Sequence, residues 1–260
     1  MNGSKIRVGQ VKVLPERGSL KVNHRVLMDV LAEIEKREAP DVVVTPQGFL
    51  DGYVSKSENV MAGDMIRYAI DPNTSPYVEA ASEWSRRNRS WLIYGCIRRA
   101  GNSVFNTALI LNREGKLVGC YDKLHLQEHD QKYSPGNCLD VYDSDFGLFG
   151  VMICADRRWP ETVRTLGLQG ARVIFNPTYG MHNDLNLCMM RTRAYESELF
   201  IVFTHPEQAL ITDPEGRVVL NDEDRLHRCQ VSEIDLAEAD ARRASSCGHL
   251  RDRRQDVYRL

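Results

Sequence analysis

Three polar side chains in this sequence follow apolar, strand-like runs. Gln47 follows V-V-V-T-P, Lys123 follows L-V-G-C-Y-D, and Cys154 follows G-L-F-G-V-M-I. Groups placed at strand ends tend to converge on one rim of a sheet. Cys154 is followed by A-D-R-R-W and then by Pro160 and Glu161. Those two open a helix, because proline at the first helical position forfeits no hydrogen bond and already holds a helical φ. A cysteine between strand and helix lies among backbone N–H groups that stabilise a thiolate or an oxyanion. Standing alone, Cys154 reads as a small buried core residue. Its neighbours change that reading. A thiol that attacks a carbonyl or nitrile carbon needs a base or cation favouring the thiolate, and a donor or cation for the oxyanion. Lys123 is a candidate for that cation; its plain alternative is a surface lysine closing a hairpin.

The 260 residues carry a net charge of −2 and a pI near 6.4. That balance argues against nucleic acid or an anionic membrane as partner. Seven cysteines (96, 120, 138, 154, 188, 229 and 247) form no C-x-x-C pair and no zinc-type spacing. They read as free thiols in a reducing cytoplasm. No His/Asp/Glu cluster has ligand-like spacing and no glycine-rich phosphate loop is present, so neither a metal nor another cofactor is expected. Nothing resembles a signal peptide, and no apolar run approaches the ~18 residues of a membrane span, so a soluble, non-secreted protein is expected.

The elements that must position the three groups follow from periodicity. Residues 5–13 alternate as a strand, and from Leu20 the apolar residues Val22, Val26, Leu27, Val30, Leu31 and Ile34 share one helical face. Residues 41–45 form a buried strand, and Ser75-Pro76 starts a helix to about Arg87. A strand over 91–97 precedes a hairpin of 104–112 and 116–121, and 123–137 is a polar loop. Strands are expected over 146–153, 173–176, 200–204, 208–212, 217–220 and 226–234, with helices over 160–168 and 187–199. The residues from about 236 are basic and polar and read as an arm on a single domain spanning 1–260. Helices alternate with strands at both ends of the chain and hairpins lie between. This order predicts two sheets face to face with helices outside them.

Three stretches together resemble the nitrilase, or carbon–nitrogen hydrolase, superfamily. They are D-V-V-V-T-P-Q-G-F-L-D-G-Y at 41–53, F-N-T-A-L-I-L-N-R-E-G-K-L-V-G-C-Y-D-K-L-H-L at 105–126, and G-V-M-I-C-A-D-R-R-W-P-E at 150–161. The resemblance implies an α/β fold, an αββα sandwich of two mixed sheets. It also implies stacking as αββα–αββα in a homodimer or higher homo-oligomer, with R-T-R-A-Y-E at 191–196 near the interface. It places the nucleophile on Cys154, the oxyanion-stabilising lysine on Lys123 and the general base on position 47. There the chain carries Gln47, which is close in size to glutamate but accepts no proton at neutral pH. Two origins fit this residue: a deliberate Glu→Gln change that traps substrate, or a natural member that is silent or uses another base.

The family's second glutamate, in the loop after the lysine, maps to Glu128, with Asp130 as the alternative. His129 touches substrate or is simply exposed, and His125 reads as a packed structural histidine. The I-C-x-D-R-R-W-P-E-T stretch most resembles enzymes that hydrolyse N-carbamoyl-D-amino acids, in which an arginine pair holds the substrate carboxylate. Arg157 and Arg158 are the corresponding residues, since guanidinium groups bind carboxylates bidentately; alternatively one of them pairs with Asp156 or Glu161. Asn176, Thr178, Tyr179 and His182 are candidate pocket walls. The chain departs from that branch at Ala155, where asparagine is usual, and in its short 204–210 segment. The reading is thiol-dependent hydrolysis of a non-peptide C–N bond in a small amide or N-carbamoyl compound, impaired by Gln47. The alternatives are a silent member that binds a small ligand or partner, and a nitrile-hydrolysing enzyme.

Overall fold

In the run Val42–Val44, Val42 and Val44 point into one core while Val43 points into another. Successive strand residues face opposite sides, so a strand buried on both faces must be apolar throughout. The computed structural model describes residues 4–36 and 40–258. In chain order its elements are β1 (Lys5–Val11), α1 (Leu20–Glu35), β2 (Val42–Val44), α2 (Pro76–Asn88), β3 (Trp91–Ala100), β4 (Ser103–Leu111) and β5 (Leu117–Asp122). There follow β6 (Val141–Tyr142), β7 (Phe149–Val151), α3 (Pro160–Leu168), β8 (Val173–Pro177) and α4 (Asp184–Ser197). The last are β9 (Phe200–His205), β10 (Gln208–Thr212), β11 (Val218–Asp222), β12 (Cys229–Asp235) and α5 (Ala237–Arg243).

The strands form two six-stranded mixed sheets, ordered β12-β1-β2-β3-β4-β5 and β11-β10-β9-β8-β7-β6. In the first, β1, β2 and β3 run parallel; in the second, β7, β8 and β9 do. Both parallel trios are flanked by antiparallel strands. The sheets pack face to face through Ile6, Val8, Val44, Ile93 and Ile110 on one side and Val151, Phe175, Val202 and Ile211 on the other. Each such side chain contributes about 1.5–3 kcal/mol when fully buried. Leu27, Val30 and Leu31 of α1 and Val78, Ala81 and Trp84 of α2 cover the outer face of the first sheet. Val163 and Leu166 of α3 and Met190 and Ala194 of α4 cover the second. This is the αββα sandwich. A polar tie crosses it: the Gln10 amide donates to the Phe203 carbonyl at 2.7 Å.

The strand expected over 146–153 is only Phe149–Val151. Gly147, at φ 103°, turns the chain before it, and the ladder after it ends where the Ile153 N–H turns to the Asp156 carboxylate. The short partner β6 has no alternating pattern long enough to read. Helix α4 begins at Asp184 rather than 187, because the Asn183 side chain accepts the Asn186 N–H and caps an earlier turn. The arm expected from about 236 is instead α5 and a set of turns packed on this same chain. Arg243 donates to the carbonyls of Gly170 and Ala171, and the His249 N–H donates to Glu198. Among the described residues, no helix is long and apolar enough to cross a membrane.

Candidate active site

Cys154 sits at φ +47°, a left-handed conformation that costs an L residue about 1–2 kcal/mol. It opens the tight 3-10 turn Cys154–Arg158 just past β7, with α3 beginning at Pro160. Asp156 holds that turn. Its buried carboxylate accepts the N–H groups of Ile153 (2.9 Å) and His125 (2.9 Å), the Tyr121 hydroxyl (2.8 Å) and the His125 ring (2.8 Å). The His125 ring also stacks on Trp159, in the packed role read from sequence. Strain of this kind persists where the surroundings over-determine it, and it clusters at functional sites.

The sulfur is nearly enclosed. Burial pushes its thiol up, yet the charges of Arg157 and Lys123, the Tyr179 N–H and a hydrogen bond from Arg157 outweigh burial and hold it below the ordinary thiol value. Arg157 Nη1 lies 3.6 Å from Sγ and also donates to the Cys154 carbonyl. Its Nε donates to Asn186 Oδ1 and its Nη2 to the Met181 carbonyl, both at 2.6 Å. Arg157 is therefore bonded within this turn and stands beside the sulfur. Arg158 is exposed and donates to Gln127 at 2.7 Å, outside the enclosed site.

Lys123 directly follows β5, with its side chain fully buried. Its backbone is pinned by the Asn106 carbonyl and the Gly136 N–H, each at 2.9 Å. Its ammonium donates to Asp130, also fully buried. Tyr53 donates its hydroxyl to the other Asp130 oxygen at 2.8 Å and meets His129 Nε2 at 2.8 Å. One phenol has one proton to give, so the His129 ring donates in return. Glu128 is exposed on the same turn. The acidic residue beside the lysine is thus Asp130, the alternative, because a short turn presents residue 130 inward and residue 128 to solvent.

Gln47 is fully buried, and neither amide atom has a partner among the described residues. Its loop crosses β3 at Gly95, where a Cβ would stand 2.4 Å from the Pro46 carbonyl. The Gly95 N–H donates to the Thr45 hydroxyl at 2.9 Å, and its carbonyl accepts the Leu50 N–H at 3.0 Å. Only glycine admits so close a crossing.

Of the expected pocket walls, Asn176 is structural in its contacts. It donates to the Met152 carbonyl at 3.0 Å and accepts the Thr178 hydroxyl at 3.3 Å. Tyr179 does face the site: its ring lies 5.2 Å from that of Tyr53. His182 stacks on His205 at 4.2 Å. Their ligand atoms and those of Glu207 lie within 4.8 Å of one another, a gathering that sequence spacing did not reveal. His205 Nδ1 is already engaged, however: it accepts the Glu207 N–H at 3.0 Å. Burial and the neighbouring His182 push His205 down to about 3, so it stays neutral. Sequence reasoning did not single out Tyr53, His205 or Asn186. Tyr53 alone carried a signal, as the last residue of the 41–53 stretch.

The carbon–nitrogen hydrolase family profile matches residues 5–244. An omega-amidase, NIT3 of Saccharomyces cerevisiae, is 26% identical over 84% of this chain and 85% of its own length. An N-carbamoylputrescine amidase of Arabidopsis thaliana is 26% identical over 62% of this chain and 64% of its own. The solved structure of a carbon–nitrogen hydrolase from Helicobacter pylori superposes with a TM-score of 0.83 at 20% identity, covering 99% of this chain and 98% of that one. With the profile spanning nearly its whole length, the chain belongs to the carbon–nitrogen hydrolase family.

Proposed function

We propose that the chain hydrolyses the C–N bond of a small amide or N-carbamoyl compound through Cys154, and that Gln47 makes turnover slow. One observation carries this reading. Cys154 stands on a strained turn with its sulfur under the Arg157 and Lys123 charges and the Tyr179 N–H. The names of the yeast and plant relatives support the amide and N-carbamoyl classes.

In this reading Sγ bonds to the carbonyl carbon, and Lys123 and a backbone N–H hold the oxyanion. The C–N bond breaks as a proton reaches the departing nitrogen. Water then cleaves the thioester, regenerating the thiol and releasing an acid. Arg157, Lys123 and the Tyr179 N–H lower the thiol's pKa and so ease formation of the attacking thiolate. Protonation of the leaving nitrogen and activation of water do need a proton carrier, and an amide at position 47 carries none. The defect falls on those two steps and costs about 10²–10⁴-fold in rate.

The unpaired Gln47 amide favours a second reading, a ligand-binding member without turnover, since a closed unpaired amide gains from a polar ligand. Gln47→Glu separates the two. A gain of about 10²-fold or more in hydrolysis of a panel of amides and N-carbamoyl amino acids supports the enzyme. No gain in a folded variant supports the binder. Intact-mass detection of an acyl adduct that Cys154→Ala abolishes identifies the nucleophile. We further place the protein in a reducing cytoplasm, where its seven free thiols persist, and as a homodimer or higher homo-oligomer. Light scattering of the purified chain tests the assembly.

A further inference from the structure

A cleft of about 340 Å³ is bounded in part by Lys56, Tyr179, Gly180, His182, His205 and Glu207. Of these, Gly180 lies next to the nucleophile, for a Cβ added there would stand 3.2 Å from Sγ. Of the two arginines offered for a substrate carboxylate, Arg157 is bonded within the turn beside the sulfur and Arg158 bonds Gln127 at the surface. The cleft nevertheless has its own cation.

Lys56 closes the 3-10 turn Val54–Lys56 that follows Tyr53 directly. Lys132 donates to the carbonyls of Ser55 (2.7 Å) and Ser57 (2.9 Å), fixing the backbone on both sides of Lys56. The Lys56 ammonium lies 5.5 Å from the Tyr53 ring centroid and 5.2 Å from that of Tyr179. Lys123 Nζ lies 6.0 Å from the same Tyr53 ring, so one aromatic side chain joins the two cations. Aromatic faces steady an ammonium without neutralising it. Among the described residues, no carboxylate forms an ion pair with Lys56. The acid in the cleft wall, Glu207, is taken by Arg225 at 2.7 Å and approached by His182 at 3.8 Å. His205 stays neutral beside it.

We propose that Lys56 anchors the anionic end of the substrate, so that the site selects small amides or N-carbamoyl compounds bearing a free carboxylate. The inference rests on the hydrolase reading for the placement of the scissile bond at Cys154. A carboxylate meeting a fixed ammonium between aromatic walls gains a charge-assisted hydrogen bond, equivalent to about 10–100-fold in affinity.

The test is calorimetric titration of the full-length Cys154→Ala chain, in which the thiol step is blocked. The probes are glutaramate, which carries one amide and one carboxylate, and glutaramide, its neutral diamide. Glutaramate is expected to bind at least about 10-fold more tightly. Lys56→Met erases that preference, and Lys56→Arg, which keeps the charge and controls for folding, retains it. Equal binding of the two probes, absence of binding by either, or a preference that survives Lys56→Met overturns the proposal. The two readings fail separately. A Lys56-dependent preference in a protein whose Gln47→Glu form hydrolyses no amide leaves the anchor standing and removes the hydrolase. Hydrolysis without the preference does the reverse.

Discussion

Lys123 and Asp130 form an ion pair in which neither side chain reaches solvent. Burying two charges is costly, and the pair persists because Tyr53 and the Gln127 N–H supply further hydrogen bonds to the carboxylate. Removing one partner strands the other. Asp130→Ala is therefore expected to destabilise the fold by about 3–5 kcal/mol in urea titration. Glu128→Ala, at an exposed site, is expected to stay within about 0.5 kcal/mol of the parent. A larger loss from Glu128→Ala would return the second acidic position to residue 128.

The thiol of Cys154 is held below its ordinary value by Arg157, Lys123 and the Tyr179 N–H against the opposing effect of burial. Iodoacetamide alkylation at Cys154, followed by peptide mass against pH, is expected to show a midpoint below the ~8.5 of a free cysteine. Lys123→Met removes a stabilising cation and moves the midpoint up. In the hydrolase reading, in which position 47 is the base for the thiol, Gln47→Glu also moves it up, because a neighbouring carboxylate disfavours a second negative charge. A midpoint unaffected by Lys123→Met would detach the lysine from the sulfur.

Adjacent arginines have unequal surroundings. Arg157 is buried and ties the turn to the Met181 carbonyl and the Asn186 side chain, whereas Arg158 is exposed and bonds Gln127. Arg157→Ala is expected to cost about 3 kcal/mol or more, since it leaves buried carbonyls unsatisfied. Arg158→Ala is expected to cost less than about 0.5 kcal/mol and to leave glutaramate affinity within about twofold. Chemical denaturation and calorimetry read both. A large loss of carboxylate affinity in Arg158→Ala would restore the arginine pair as the substrate's anchor.

The sandwich was legible because its signals are local and repeated. The apolar run at 42–44, the helical face of α1 and the Pro160 start of α3 each state their own burial. Cys154 and Lys123 stood out for the same reason, at the ends of such runs. Charge partners were harder to read. Whether Glu128 or Asp130 meets the lysine depends on one short 3-10 turn, and Arg157 differs from Arg158 only in which way a five-residue turn points it. The Lys56 ammonium meets Tyr179 from far along the chain, and no periodicity encodes that approach.

Asp51 lies fully buried in the same loop as Gln47. One carboxyl oxygen accepts the Val54 N–H at 3.1 Å, and the other has no hydrogen-bond partner among the described residues. Burial pushes its carboxyl up from 3.8 to about 7, against hydrogen bonds from the backbone that favour the charge. The folded chain therefore keeps a proton that the unfolded chain releases. Below the unfolded value both states are protonated and the effect vanishes. As pH rises from about 4 to about 7 the unfolded state ionises first and is favoured, so stability falls through that window and levels above it. The full effect is on the order of 4 kcal/mol. Asp51→Asn cannot ionise and lacks this slope. Urea unfolding at about pH 5 and about pH 8 is expected to show the parent losing stability relative to Asp51→Asn as pH rises. Parallel profiles would mean that Asp51 is charged in the folded chain, and that its free oxygen meets a donor.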